Sequence, residues 1–426
     1  MSCSRSADGT LWLGGVRLSD IVADGRIGTP AYVYDIDAIA KEARDLEASF
    51  EREPHLVAYA IKANSASLIV RALAEEGCGA DVVSGGELEL ALRSGIAADK
   101  IVYSGVAKQD DEIDRAILAG REGICAINVE SVEEIARVGA RAKECGRTAR
   151  IAIRLNPGVD AETIDTHAHI TTGHDEAKFG VARARIADAL DLVAQTPTVR
   201  LVGMTSHVGS QITNVNAYLS SARALFEVAR EVKARFALSY VDTGGGFGID
   251  YGDGCSVSPA DFIRATRALK AEHGLSNLAL YCEPGRGLVG AHGVLVARVT
   301  QRKVGDREHR WIILNAGMND LIRPALYQAR HRIVPLTAPP GPLGAFRVVG
   351  PVCESSDDFG VHDLPEDHFD AVAILDAGAY GFSMASTYNG RALPAEVFVR
   401  GGRIEAIAPR HEIDAWVHAR MATVPG

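Results

Sequence analysis

The sequence predicts an α/β protein, a (β/α)8 TIM-like barrel followed by a C-terminal, mostly antiparallel β domain that also takes in N-terminal strands. Three observations lead there. From about residue 55, short apolar β-like runs alternate with amphipathic helical stretches, the rhythm of parallel βα units. Eight such runs fall within about 250 residues, the usual length of a barrel. After Arg286 the rhythm gives way to β-rich runs separated by Gly, Pro and Asp turns with few helices between them. The barrel is placed at 37–286, and the second domain at 1–36 plus 287–426.

In chain order, "TLWLGGVRL" (10–18) and "AYVYD" (31–35) are strand-like and are available to the second domain. The barrel runs are "HLVAYAI" (55–61), "GADVV" (79–83), "IVYSG" (101–105), "ICAINV" (124–129), "IAIRL" (151–155), "LVGMTS" (201–206), "LSYVDT" (238–243) and "LALYCE" (278–283). Between them, stretches such as Ser131–Cys145 and Val181–Gln195 repeat apolar residues at three- and four-residue spacing, which predicts helices. "GVLVARVT", "RWIILNA", "FRVVG", "AVAILDAG", "AEVFVR" and "RIEAIAP" supply the later strands. No internal repeat interrupts this order.

With 426 residues, 47% of them hydrophobic, the chain can bury a large core in two domains. A net charge of -10 argues against nucleic acid or an anionic membrane as partner. No apolar run approaches the roughly 18 residues of a membrane span, and "MSCSRSADGT" lacks a signal-peptide core, so a cytoplasmic protein is expected. The seven cysteines are scattered without a C-x-x-C pair, which suggests reduced thiols and neither a disulfide framework nor a zinc site. No metal is expected.

Barrel enzymes carry their chemistry where the strands end. Lys62 ends the first run, and an ammonium in the apolar stretch "YAIKANS" (59–65) must be paired or give up its proton, which makes it a candidate for imine chemistry. A strand-end lysine reaching solvent is the plainer reading of that residue alone. Asp81 lies in the second run, "SHVGS" (206–210) follows the sixth, "DTGGGFG" (242–248) the seventh and "EPGRG" (283–287) the eighth. Glycine triplets let backbone amides approach an anion, and barrels often bind phosphate after strands seven and eight. A dinucleotide fingerprint starting at Gly244 would need glycine where Ile249 stands. A reactive lysine, a phosphate cradle, a histidine and an acid together point to pyridoxal phosphate held through a Schiff base.

At this point a resemblance is plain. "YAIKANS", "GADVVSGGEL", "HVGSQI", "GGGFG", "EPGRGLVG", "MNDLIRPALY", "GPVCESSD" and "GAYGFSMASTYN" occur in the order seen in diaminopimelate decarboxylases, pyridoxal-phosphate enzymes built on the alanine-racemase type of barrel. The match runs from about Thr29 to Arg410. It implies that Lys62 carries the cofactor and that His207 stacks on its ring. Asp81, Ser210, Gly245, Gly246, Pro284, Gly285, Arg286 and Tyr380 would complete the cofactor site. Glu283 would face the pyridine nitrogen, and a carboxylate there favours the protonated ring, the stronger electron sink. Arg286, Arg323, Tyr327, Glu354 and Tyr380 would bind the substrate. Guanidinium groups suit a carboxylate, so a remote amino acid group of the kind meso-diaminopimelate carries is implied. Cys353 would be the proton donor, contributed with Glu354 across a homodimer interface.

The chain departs from the family pattern at Ser356, where relatives usually have glycine after "CES", and in 160–180, which resembles a mobile lid but is longer at its start. His167, His169 and His174 in that segment have poor spacing for a metal site. Two other readings stay open on sequence alone. One is a decarboxylase of the same fold acting on ornithine, arginine or carboxynorspermidine, and the other is a non-catalytic regulatory homologue.

Overall fold

The computed structural model describes residues 3–158, 178–255, 257–305, 309–338, 341–410 and 413–422. Most of the expected lid segment, including His167, His169 and His174, lies outside the described residues. The chain divides into two units. One comprises Ala40–Ile249 and Cys255–Leu288, and the other Met1–Ile39, Asp250–Gly254 and Val289–Gly426.

The first unit is the barrel. Its strands are β1 (His55–Ala60), β2 (Gly79–Val82), β3 (Ile101–Tyr103), β4 (Ala126–Val129), β5 (Ala149–Asn156), β6 (Val199–Thr205), β7 (Tyr240–Asp242) and β8 (Ala279–Cys282). Each pairs in parallel with the next, and β8 returns to β1 through Leu280 opposite His55, so the sheet closes. All eight coincide with the apolar runs of the sequence. Closure gives every barrel strand a hydrogen-bonded neighbour on both sides and leaves no edge. Leu56, Ala58, Val102, Ala126, Ala152, Val202 and Tyr240 form one buried cluster from alternating positions.

The helices start where their caps allow. Ser84 and Ser131 accept from the amides of Glu87 and Glu134, and a capping box joins Ser258 to Asp261. The helix expected over Ser131–Cys145 spans Val132–Glu144, with those two residues as its caps. The helix expected from Val181 begins only at Ile186. Val181 and Ala182 instead pair with Leu155 and Asn156, and a 3-10 turn over Arg183–Arg185 follows. Sheet hydrogen bonds outweigh helical periodicity there.

The second unit is a mixed sheet in the order 358–365, 343–349, 310–314, 293–304, 31–35, 395–400, 403–408, with 371–374 also on 293–304. Its pairings are antiparallel except 310–314 with 343–349 and 31–35 with 395–400. "AYVYD" is thus a central strand, between Gly293–Val296 and Ala395–Val399. "TLWLGGVRL" instead forms a separate three-stranded sheet with Cys3–Arg5. Ala31, Val33, Val294, Val296, Ala371, Ala373, Val397 and Val399 alternate along their strands into one core. Among the described residues no helix is long and apolar enough to cross a membrane.

Candidate active site

Lys62 lies in a 3-10 turn, Ile61–Ala63, directly after β1. Its Nζ is 2.6 Å from Oδ2 of Asp81, whose side chain is fully buried while that of Lys62 is 36% exposed. This resolves the puzzle of an ammonium in an apolar stretch. The strand end lifts the amine to the mouth of the barrel, and the carboxylate on neighbouring β2 pairs with it there. Asp81 Oδ1 is buried with no hydrogen-bond partner among the described residues, an unmet acceptor beside the lysine.

The glycine triplet after β7 sits tightly against its neighbours. A Cβ on Gly245 would lie 1.9 Å from the carbonyl oxygen of Glu283, and one on Gly246, at φ +94°, would lie 2.3 Å from that of Gly209. Only glycine lets these loops approach so closely. The Gly245 amide, which the sequence offered to a phosphate, here donates to His207 Nδ1 at 3.1 Å. His207 therefore accepts at Nδ1. Burial, reinforced by the charges of Arg154 and Lys62, pushes its pKa well below the usual value, so the ring is neutral. Ser210 accepts from buried Arg286 at 2.9 Å.

Glu283 follows β8 and is nearly fully buried. Its amide donates to Gly244, while Oε1 accepts from Ser104 and Asn128, each at the long distance of 3.4 Å. Burial and then the neighbouring carboxyls of Asp242 and Asp81 push its pKa well above the ordinary carboxylate range, with Lys62 and Arg154 opposing. Burial likewise raises Asp242 to about 7. Three carboxyls crowd the barrel's carboxyl end, an environment that favours a cation.

The remaining candidates belong to the second unit. Arg323 and Tyr327 begin and end a one-turn helix, and Arg323 is only 5% exposed. Tyr380 adopts φ +55° in the loop after 371–374, a conformation uncommon for tyrosine and one that recurs at functional sites. Cys353 is exposed, its amide donating to Asn389 Oδ1 at 2.9 Å. Glu354 accepts from the Tyr388 hydroxyl. Ser356 is not among the residues of positive φ, so this turn closes without the backbone strain its serine suggested.

The sequence reading passed over Arg154, Glu130 and Asp242. Arg154, inside β5, is buried, pairs with Glu130 at 3.0 Å and donates to the His207 carbonyl at 3.3 Å. Its signal was the one that exposed Lys62, a cation within an apolar run. Asp242, which ends β7, receives the Gly244 amide at 2.8 Å and so sets the first turn of the glycine loop.

These residues suit pyridoxal phosphate. An amine is available for covalent attachment, glycines form a cradle any side chain would fill, a neutral imidazole stands beside it, and buried carboxyls are placed for a cationic ring nitrogen.

Comparison with known proteins agrees. Residues 36–290 match the family model for the pyridoxal-dependent decarboxylase, pyridoxal binding domain. A diaminopimelate decarboxylase of Zymomonas mobilis is 38% identical over 415 residues, 96% of each chain. The crystal structure of the Helicobacter pylori diaminopimelate decarboxylase complexed with L-lysine superposes with a TM-score of 0.88 at 34% identity, over 95% of this chain and 99% of that one. The enzyme from M. jannaschii, in co-complex with L-lysine, gives 0.91 at 32%, over 99% and 98%. The chain belongs to the pyridoxal-dependent decarboxylases and, within them, to the diaminopimelate decarboxylase family.

Proposed function

We propose that this chain decarboxylates meso-2,6-diaminopimelate to L-lysine and carbon dioxide. The observation that carries the reading is the 38% identity to a diaminopimelate decarboxylase over 96% of both chains. In this reading Lys62 attaches pyridoxal phosphate through Nζ, and His207 packs against its ring. Gly246, Ser210, Tyr380 and the loop from Glu283 through Pro284 and Gly285 to Arg286 would hold its polar groups, while Gly245 anchors His207 beside them. When bound, the cofactor supplies a sink for the electron pair left on the α-carbon as carbon dioxide departs.

The protein's own residues do the rest. Asp81 keeps the Lys62 amine in place beside β2, at 2.6 Å. Glu283, whose carboxyl burial pushes well above the usual range, would face the ring nitrogen, and a cationic nitrogen there would favour its charged form. His207 stays neutral and adds no charge that would oppose the pyridinium. Arg286, Arg323 and Tyr327 bind the remote carboxylate, and Glu354 the remote ammonium. Cys353 Sγ delivers the proton that replaces carbon dioxide on the α-carbon.

Cys353 and Glu354 act from the second chain of a homodimer in this account, and both are exposed in the isolated protomer. We place the protein in the cytoplasm, where reduced thiols such as that of Cys353 would persist. The test is to load the purified protein with pyridoxal phosphate, supply meso-diaminopimelate and measure L-lysine. The reading requires lysine from the parent and none from Lys62→Ala. Ornithine or arginine consumed in its place would move the protein to a sister activity, and a folded, cofactor-bearing chain that decarboxylates none of these would make it a binding homologue.

A further inference from the structure

Arg323 and His331 are eight positions apart, yet their side chains meet. The helix Arg323–Tyr327 has Pro324 in its first turn and ends at Gln328 in the left-handed region, φ +54°. The amide of Ala329 then turns back to the Arg323 carbonyl, at 3.3 Å. This reversal carries His331 onto the guanidinium. Arg323 Nη1 is 2.7 Å from His331 Nε2, and His331 Nδ1 is 2.8 Å from the carbonyl oxygen of Leu375. The two side chains' residues are 5% and 3% exposed.

Those contacts determine the state of the imidazole. A guanidinium only donates and a carbonyl only accepts, so Nε2 must present its lone pair and Nδ1 must carry the hydrogen. His331 is therefore held neutral, in a single tautomer. Tyr251 supplies another wall, with its ring 4.9 Å from Arg323 Cζ and edge-on to His331 at 5.3 Å. The next residue, Arg332, bonds Asp376 at 2.6 Å and reaches the Asp250 carbonyl at 3.4 Å, which ties the Tyr251 segment to the same strand.

We propose that His331 is a positioning residue that sets the Arg323 guanidinium for the substrate's remote carboxylate, with Tyr251 as its second support. The inference rests on the reading of Arg323 given under Proposed function. Its physical basis is the choice of acceptor. Aspartate or glutamate in place of His331 would orient the arginine equally well but would cancel its charge and compete with the incoming carboxylate. A neutral imidazole orients without neutralising. The pre-set guanidinium also gives up less rotamer freedom when substrate binds.

The test uses cofactor-loaded full-length protein with meso-diaminopimelate as substrate. His331→Leu removes the acceptor. His331→Asn keeps a group near Nδ1 for Leu375 but withdraws the one facing Arg323, and so serves if the leucine variant does not fold. His331→Gln restores an acceptor near the Nε2 position. Removing the acceptor is expected to raise KM roughly 10- to 100-fold, with kcat within about threefold, and glutamine is expected to recover most of the loss. In an Arg323→Ala background the same change is expected to add nothing, because His331 then has no guanidinium to hold. A parental KM in both the leucine and asparagine variants, or a loss that adds in full to that of Arg323→Ala, overturns the inference while the parent still makes lysine. A parent that makes no lysine overturns the reading of function beneath it.

Discussion

Gly245→Ala would drive a methyl group into the backbone of the loop that follows β8. The new Cβ would lie 1.9 Å from the Glu283 carbonyl oxygen, 2.7 Å from its carbon and 3.4 Å from the nitrogen of Pro284. Ordinary contact begins near 3.4 Å, so two backbone segments must part by about 1.5 Å. Neither can yield without loss. The Glu283 amide is bound to Gly244 at 2.9 Å, the Pro284 carbonyl accepts from Ala60 at 2.9 Å, and the Gly245 amide holds His207. Overpacking of this kind costs about 1–3 kcal/mol, and because the strain falls on the proposed cradle itself, pyridoxal phosphate should bind roughly 10- to 100-fold more weakly. Equilibrium titration of the cofactor-free protein, followed by absorbance, measures this. Gly86→Ala is the control, since its Cβ would meet only Ser84 Oγ at 3.8 Å within a helix. Parental cofactor affinity and parental thermal stability in Gly245→Ala would refute the reasoning.

Three further outcomes are expected. Glu396 is buried against Tyr34 and its pKa rises from 4.5 to about 7, mainly through burial. The folded state therefore binds the proton more tightly than the unfolded chain. This contribution is fully present below pH 4.5 and is lost as pH rises through about 7, so Glu396→Gln should gain up to about 3 kcal/mol on the parent between those limits in urea unfolding; a pH-independent difference would contradict this. Cys353→Ala should retain cofactor and lower kcat by about 10²- to 10⁴-fold, the usual worth of a positioned proton donor, and an unchanged kcat would remove it from that role. Borohydride reduction of the loaded protein should fix the cofactor to the peptide containing Lys62, and recovery of the label on another lysine would relocate the site.

What was legible in the sequence follows the range of the interactions involved. The barrel strands could be read because a parallel strand covered on both faces is a short apolar run, and nothing distant is needed to recognise one. Lys62 and the glycine triplet stood out for the complementary reason, as residues whose chemistry clashes with their local setting. Pairing partners were not legible. That "AYVYD" lies between Gly293–Val296 and Ala395–Val399 depends on residues hundreds of positions away. Asp358–Pro365 intersperses Asp358, Gly360, His362 and Asp363 among its apolar residues, and the apolar-run criterion passes over it. Val181 follows a helical period but is captured by Leu155. Arg154 carries the same signal as Lys62, a cation within an apolar run, but its meaning emerges only once Glu130 lies beside it. His331 likewise acquires a role only when the turn at Gln328 folds it back onto Arg323.

If Arg323 recognises the remote carboxylate of the substrate proposed above, substrate preference should depend on it. The most direct measurement is kcat/KM for meso-diaminopimelate and for L-ornithine on one preparation of loaded protein, repeated with Arg323→Ala. The parent should strongly prefer diaminopimelate, and Arg323→Ala should lose most of that preference. Equal turnover of the two substrates by the parent, or a preference that survives Arg323→Ala, would contradict it.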